Sequence, residues 1–211
     1  MKVDKQAMKL YLVTDRSWLG DSCLEDQVEA AVRAGATFVQ LREKQLPEIE
    51  FLKRAQAMKA VTDRWAVPFV VNDAVEVALA VNADGVHIGQ QDLDARDVRR
   101  RMGPDKILGV SAQTLEQALR AQESGADYIG VGAVFATGTK KDADAVSLET
   151  LQAICSSVSV PVVAIGGIDE KTVYALKGTG IDGIAVVSAI FASPDVARAT
   201  RRLRDISERL F

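Results

Sequence analysis

The chain has one histidine and two cysteines among its 211 residues, which removes several kinds of chemistry at the outset. A lone histidine, His87, cannot build a multi-histidine metal cluster, and no Ser-His-Asp or Cys-His team is available for nucleophilic catalysis. His87 falls inside a β-rich run, where a hydrogen-bonded structural position is expected before a general base. Cys23 and Cys155 have neither metal-site spacing nor the number of a disulfide framework, and read as reduced thiols of a cytoplasmic protein. Nor is there a basic surplus: the net charge is -3 and the pI near 5.3, which argues against a nucleic-acid partner. The longest apolar run, Ile184 to Ala192, is interrupted by Ser188 and is far too short for a membrane span. Met1 to Lys9 is charged and shows no signal-peptide core. No linker or low-complexity segment divides the chain, so one domain over residues 1–211 is expected, large enough to bury roughly 70% of its unfolded surface.

What remains is a strict alternation of short β-rich runs with amphipathic stretches. Strands are expected at Lys9–Val13, Thr37–Leu41, Val67–Val71, Gly85–Ile88, Ile107–Val110, Asp127–Val131, Pro161–Ile165 and Ile184–Val187. Helices are expected between them: Leu24–Ala34, Pro47–Arg64, Ala74–Val81, Ala95–Met102, Thr114–Ser124, Leu148–Ser156, Asp169–Lys177 and Pro194–Leu210. Thr114 and Gln117 have capping-box spacing, and Gly35 and Gly103-Pro104 read as helix stops. Eight such pairs call for parallel strands with helical crossovers, closed into a single-domain (β/α)8 TIM barrel. The rival, an open doubly wound sheet, lacks the Gly-rich fingerprint after its first strand. Ala34-Gly35-Ala36, Asn82-Ala83-Asp84-Gly85, Ser124-Gly125-Ala126-Asp127 and Thr179-Gly180-Ile181-Asp182-Gly183 recur as helix-to-strand turns, a weak internal repeat.

A barrel places function at the C-terminal ends of its strands, and the odd polar residues fall there. The second strand runs into Gln40-Leu41-Arg42-Glu43-Lys44. Alternation directs Gln40, Arg42 and Lys44 to one side, an amide and two cations suited to a polyphosphate; a solvated salt-bridge cluster with Glu43 is the plain alternative. Asp73 and Asp92 end neighbouring strands. Two carboxylates beside a polyphosphate suit Mg²⁺, although aspartate at a strand end also serves as a helix cap. Gly166-Gly167 with Val187-Ser188 offer close backbone approach and a hydroxyl, a second anion site, or else a tight turn before Asp169. Thr137-Gly138-Thr139-Lys140 has phosphate-loop ingredients in the longest loop, without a Walker context. Two anion sites, one metal and no acid-base pair suit a reaction whose difficulty is the departure of pyrophosphate.

The same residues resemble the thiamine phosphate synthase family. The resemblance covers nearly the whole chain and rests on Leu10-Tyr11-Leu12-Val13-Thr14-Asp15, Gln40 to Lys44, Asn72-Asp73, Gly85 to Gln90 with Asp92, Gly109 with Ser111, Thr137 to Lys140, and Ile165 to Ile168. It implies a transferase joining 4-amino-2-methyl-5-hydroxymethylpyrimidine diphosphate to 4-methyl-5-(2-phosphooxyethyl)thiazole. The products are thiamine phosphate and pyrophosphate, formed by a dissociative substitution that needs Mg²⁺ on Asp73 and Asp92. Gln40, Leu41, Arg42, Glu43, Lys44, Asn72, Ser111 and Lys140 would surround the pyrimidine diphosphate, with Arg42, Lys44, Lys140 and Ser111 as the catalytic set and Glu43 orienting its neighbours. Thr137, Gly138, Thr139, Gly167, Val187 and Ser188 would hold the thiazole phosphate. The resemblance leaves homo-oligomers open. The chain departs from the family pattern at Gln113, where many members have His, at Ala136, often Pro, and at Ser147, often Gly. The sister family of thiazole tautomerases and non-catalytic regulatory barrels is the alternative; it lacks the paired aspartates, and its tautomerases use the His that Gln113 replaces.

Overall fold

The computed structural model describes residues 3–20, 22–44, 46–137 and 145–211. Eight parallel strands close into a barrel in chain order: β1 (Leu10–Val13), β2 (Phe38–Leu41), β3 (Phe69–Asn72), β4 (Gly85–Ile88), β5 (Ile107–Ala112), β6 (Tyr128–Val131), β7 (Val162–Ile165) and β8 (Gly183–Val186). The expected (β/α)8 architecture is therefore observed. Helices α1 (Leu24–Arg33), α2 (Glu48–Arg64), α3 (Val75–Ala80), α4 (Ala95–Met102), α5 (Leu115–Glu123) and α6 (Leu148–Ser157) follow the first six strands.

The seventh unit differs from expectation. Instead of an α-helix over 169–177, a short 3-10 helix spans Thr172–Leu176, and Gly178 and Gly180, both at positive φ, end it. Asp169 folds the turn ahead of it instead of capping an α-helix, its carboxylate accepting from the N–H groups of Lys171 (2.7 Å) and Thr172 (2.8 Å). After β8 come two helices rather than one, a single turn α7 (Ser188–Phe191) and the long α8 (Val196–Leu210), which Asp195 caps.

Strand alternation sorts the apolar residues into two layers. Leu10, Leu12, Val39, Leu41, Val71, Ile88, Leu108, Ile129 and Ile184 face outward under the helices. Tyr11, Val13, Phe38, Val70, Ile107, Tyr128, Val163 and Ala185 face inward, and Met8 joins them from a 3-10 turn (Lys5–Met8). Glycines make the inner packing work. A Cβ on Gly109 would lie 2.1 Å from the Tyr128 ring, so Tyr128 crosses the barrel only because β5 is bare at that position.

The four recurring turn phrases share one structural task. The residue just before each even-numbered strand ties down the first or second residue of the strand before it. Asp84 accepts from the Phe69 N–H (2.9 Å), Asp127 from Leu108 (2.8 Å) and Asp182 from Val162 (2.9 Å). Thr37 does the same for Leu10 through its hydroxyl (2.9 Å). Strand-entry N–H groups are thus satisfied by side chains where the sheet ladder begins.

Candidate functional site

At the C-terminal ends of the strands lies a cavity of about 500 Å³. β2 supplies the stretch that alternation singled out. Gln40, Arg42 and Lys44 line the cavity, and the Thr14 hydroxyl accepts from the Arg42 N–H (3.0 Å), holding the strand end to β1. Leu41 and Glu43 point the other way. Leu41 is wholly buried among the outward-facing core residues. The Glu43 carboxylate, 3% exposed, pairs with Arg16 (2.8 Å) and Arg54 (3.5 Å) behind the strand. Both therefore lie away from the cavity, and Glu43 acts through its ion pairs on the shape of this corner.

Asn72 ends β3, and Asp73 follows it in a left-handed conformation (φ 61) that aspartate tolerates. The turn brings Asp73 against Asp92, which is fixed by the Gly89 N–H (2.7 Å). The Asn72 amide also donates to Asp73. Desolvation and the facing Asp92 push the Asp73 carboxyl up to about 7, while Arg42 opposes the rise. Two carboxylates that repel each other, beside Arg42 and Lys44, fit a divalent cation sharing its remaining positions with phosphate oxygens and water. Among the described residues no group of three or more His, Cys, Asp and Glu side chains could hold a metal by itself, so a cation here would rest on this pair and on oxygens from a ligand or water.

Ser111, expected after β5, lies within it and pairs with Gly130 of β6. Its hydroxyl meets His87 Nε2 at 2.9 Å. From there a row of hydrogen bonds crosses the barrel: His87 Nδ1 to Tyr128 Oη (2.9 Å), Tyr128 Oη to Tyr11 Oη (2.7 Å), and Gln40 Nε2 to Tyr11 Oη (2.6 Å). His87 is held on both ring nitrogens, as a hydrogen-bonded strand histidine should be. Burial raises both phenols well above the ordinary tyrosine value. Tyr128 escaped the reading of the sequence; its inward parity on β6, two residues before Gly130, was the available signal.

On the far side, Gly166 and Gly167 adopt positive φ (102 and 63). A Cβ on either would come within 2.5 Å of Ala133 or Ala136, so the pair also makes room for the segment that follows β6. The Phe135 N–H donates to the Gly166 carbonyl (3.1 Å). Gly167, Val187, Ser188 and Thr137 all border the cavity. Gly138, Thr139 and Lys140 lie outside the described residues. Gln113 borders the cavity too, and Ser147 caps α6 by accepting from the Thr150 N–H (3.1 Å). Gln90 and Gln91 complete the rim, and Val163, Ile165 and Ala185 form an apolar floor.

The chain as a whole has similar relatives. The thiamine monophosphate synthase family model matches residues 10–190. A thiamine-phosphate synthase of Clostridium tetani is 54% identical over 194 residues, covering 92% of this chain and 93% of its own. One from Ruminiclostridium cellulolyticum is 53% identical over 197 residues, covering 93% and 94%. Among solved structures, a thiamine phosphate pyrophosphorylase from Pyrococcus furiosus superposes with a TM-score of 0.90 at 40% identity, covering 98% of both chains. The chain belongs to the thiamine monophosphate synthase family.

Proposed function

We propose that the protein is a thiamine-phosphate synthase, condensing 4-amino-2-methyl-5-hydroxymethylpyrimidine diphosphate with 4-methyl-5-(2-phosphooxyethyl)thiazole to release thiamine phosphate and pyrophosphate. The observation that carries this reading is the convergence of Arg42, Lys44, Asp73, Asp92 and Ser111 on one cavity. The names of its relatives support it.

Arg42 and Lys44 grip the diphosphate, with Asn72, Gln40 and Ser111 fixing its orientation. Asp73 and Asp92 would hold Mg²⁺, which when bound neutralises charge on the diphosphate oxygens. As the methylene C–O bond breaks, its electron pair leaves with pyrophosphate, and the two basic side chains stabilise the charge that accumulates there. The electron-rich aminopyrimidine supports the cation left on the methylene. Val163, Ile165 and Ala185 keep the floor beneath it apolar, which disfavours capture by water. Gly167, Val187, Ser188 and Thr137 seat the phosphate of the thiazole, whose ring nitrogen takes the cation and forms the new C–N bond. No base is required, in keeping with His87 being engaged on both nitrogens. The facing aspartates favour this reading over the tautomerase and regulatory alternatives.

Pyrophosphate release with both substrates, with and without Mg²⁺, tests the reaction. Release is expected only when all three are present. Tight binding of both phosphates without pyrophosphate formation would instead mark a binding protein.

A further inference from the structure

Five inward-facing polar side chains form an uninterrupted hydrogen-bond row from one wall of the cavity to the other: Gln40, Tyr11, Tyr128, His87 and Ser111. Such a row can in principle carry its protons in either sense, since each hydroxyl both gives and takes. One member fixes the sense by its orientation: the Gln40 amide turns its nitrogen, which only donates, toward Tyr11 rather than its carbonyl oxygen, which would accept. Gln40 Nε2 lies 2.6 Å from Tyr11 Oη, so Tyr11 accepts there and has its single proton for Tyr128 at 2.7 Å. Tyr128, having accepted, donates onward to His87 Nδ1 at 2.9 Å. A neutral ring that accepts on Nδ1 carries its proton on Nε2 and gives it to Ser111 Oγ at 2.9 Å. Ser111 is then left with its own O–H, at the cavity wall.

We infer that Tyr11, Tyr128 and His87 are positioning residues: they transmit a donor sense set by the Gln40 amide, hold His87 as its Nε2–H tautomer, and present the Ser111 O–H as a donor to a diphosphate oxygen. The role given to Ser111 rests on the proposed reaction; the proton order in the row does not. Burial supports the assignment. Both phenols are at most 1% exposed, and desolvation keeps them protonated at pH values where a surface tyrosine begins to ionise. The geometry is also provided for. Gly109 leaves the space that the Tyr128 ring occupies, and a Cβ on Gly130 would sit 3.3 Å from His87 Cε1.

Because His87 is the sole histidine, ¹⁵N-histidine labelling gives one imidazole to follow. In the substrate-free protein the proton is expected on Nε2 alone. Gln40→Glu replaces the donor by an acceptor, and at pH 9 the proton should move to Nδ1. Tyr128→Phe cuts the row, and Nδ1–H should appear beside Nε2–H. Its kcat/KM for the pyrimidine diphosphate should fall about tenfold, while KM for the thiazole phosphate stays within about twofold. An Nδ1–H ring in the unaltered protein overturns the inference. So does a ring that stays wholly Nε2–H in Gln40→Glu at pH 9, or wild-type kinetics in Tyr128→Phe. If Tyr128→Phe fails to fold, Tyr11→Phe cuts the row one link earlier and must give the same tautomer mixture. The tautomer is read without substrate, so an inactive wild-type protein would sink the proposed reaction and leave the proton order standing.

Discussion

The two ends of the barrel use the same residue types for opposite purposes. At the N-terminal end, Asp84, Asp127 and Asp182 each accept from an N–H at the start of the preceding strand, and basic partners neutralise two of them: Arg99 at 2.5 Å from Asp127, and Lys5 at 2.9 Å from Asp182. At the C-terminal end, Asp73 and Asp92 face each other, and the nearby Arg42 does not stop Asp73 from rising to about 7. A satisfied carboxylate holds the fold together; a frustrated one stands ready for a cation or a proton. The difference lies in what surrounds each group, not in its type.

Substitutions at the two ends should therefore separate turnover from stability. The largest effect is expected at the top: Lys44→Ala or Asp73→Ala should lower turnover at least ~100-fold, since in the proposed reaction Lys44, and the cation that Asp73 would help to hold, stabilise the leaving group while no core contact is lost. Melting curves of both variants should stay close to wild type, and near-normal turnover in purified Asp73→Ala would remove that aspartate from the metal assignment. At the bottom the pattern should invert. Asp127→Ala strands the Leu108 N–H and leaves the Arg99 guanidinium with backbone carbonyls but no carboxylate, and should cost about 2–3 kcal/mol of stability, or ~5–10 °C in Tm, with KM values unchanged at 25 °C. Chemical denaturation alongside steady-state kinetics checks both halves of that statement. The smallest effect is a slope. A carboxyl raised to about 7 in the folded protein binds its proton more tightly there than in the unfolded chain. Its contribution is therefore full at about pH 4 and lost as pH rises to about 7. Without metal, Asp73→Asn should gain stability over wild type across that window and hold the gain above it; a pH-independent difference would contradict the carboxylate pairing.

Much of this contrast is legible in the sequence, and the limits of legibility are physical. Period-two alternation separates Gln40, Arg42 and Lys44 from Leu41 and Glu43 without any structure, because a strand leaves no choice of side. The repeated turns are legible as repeats, yet their task is not, because Asp84 acts on Phe69 across the barrel's edge rather than on a neighbour in sequence. The seventh helix misleads because 169–177 has a cap and apolar spacing, but Gly178 and Gly180 sit too close behind it for an α-helix to settle. Tyr128 was illegible for another reason. Its partner Tyr11 is 117 positions away, and the glycine that admits it, Gly109, gives no sign of which ring it accommodates.

The clasps before the even-numbered strands have a kinetic consequence as well. They join residues 27, 15, 19 and 20 positions apart, short loops that are cheap to close while most of the chain is still disordered. The seam between the first and last strands is another matter, since the Ser207 hydroxyl reaches the Lys9 carbonyl over 198 positions. Folding on these terms builds quarter-barrels locally and leaves the long-range seam for last. The tyrosine pair beneath the cavity, 117 positions apart, then forms late, so that a half-assembled chain has its clasps but not the hydrogen-bond row that crosses the barrel.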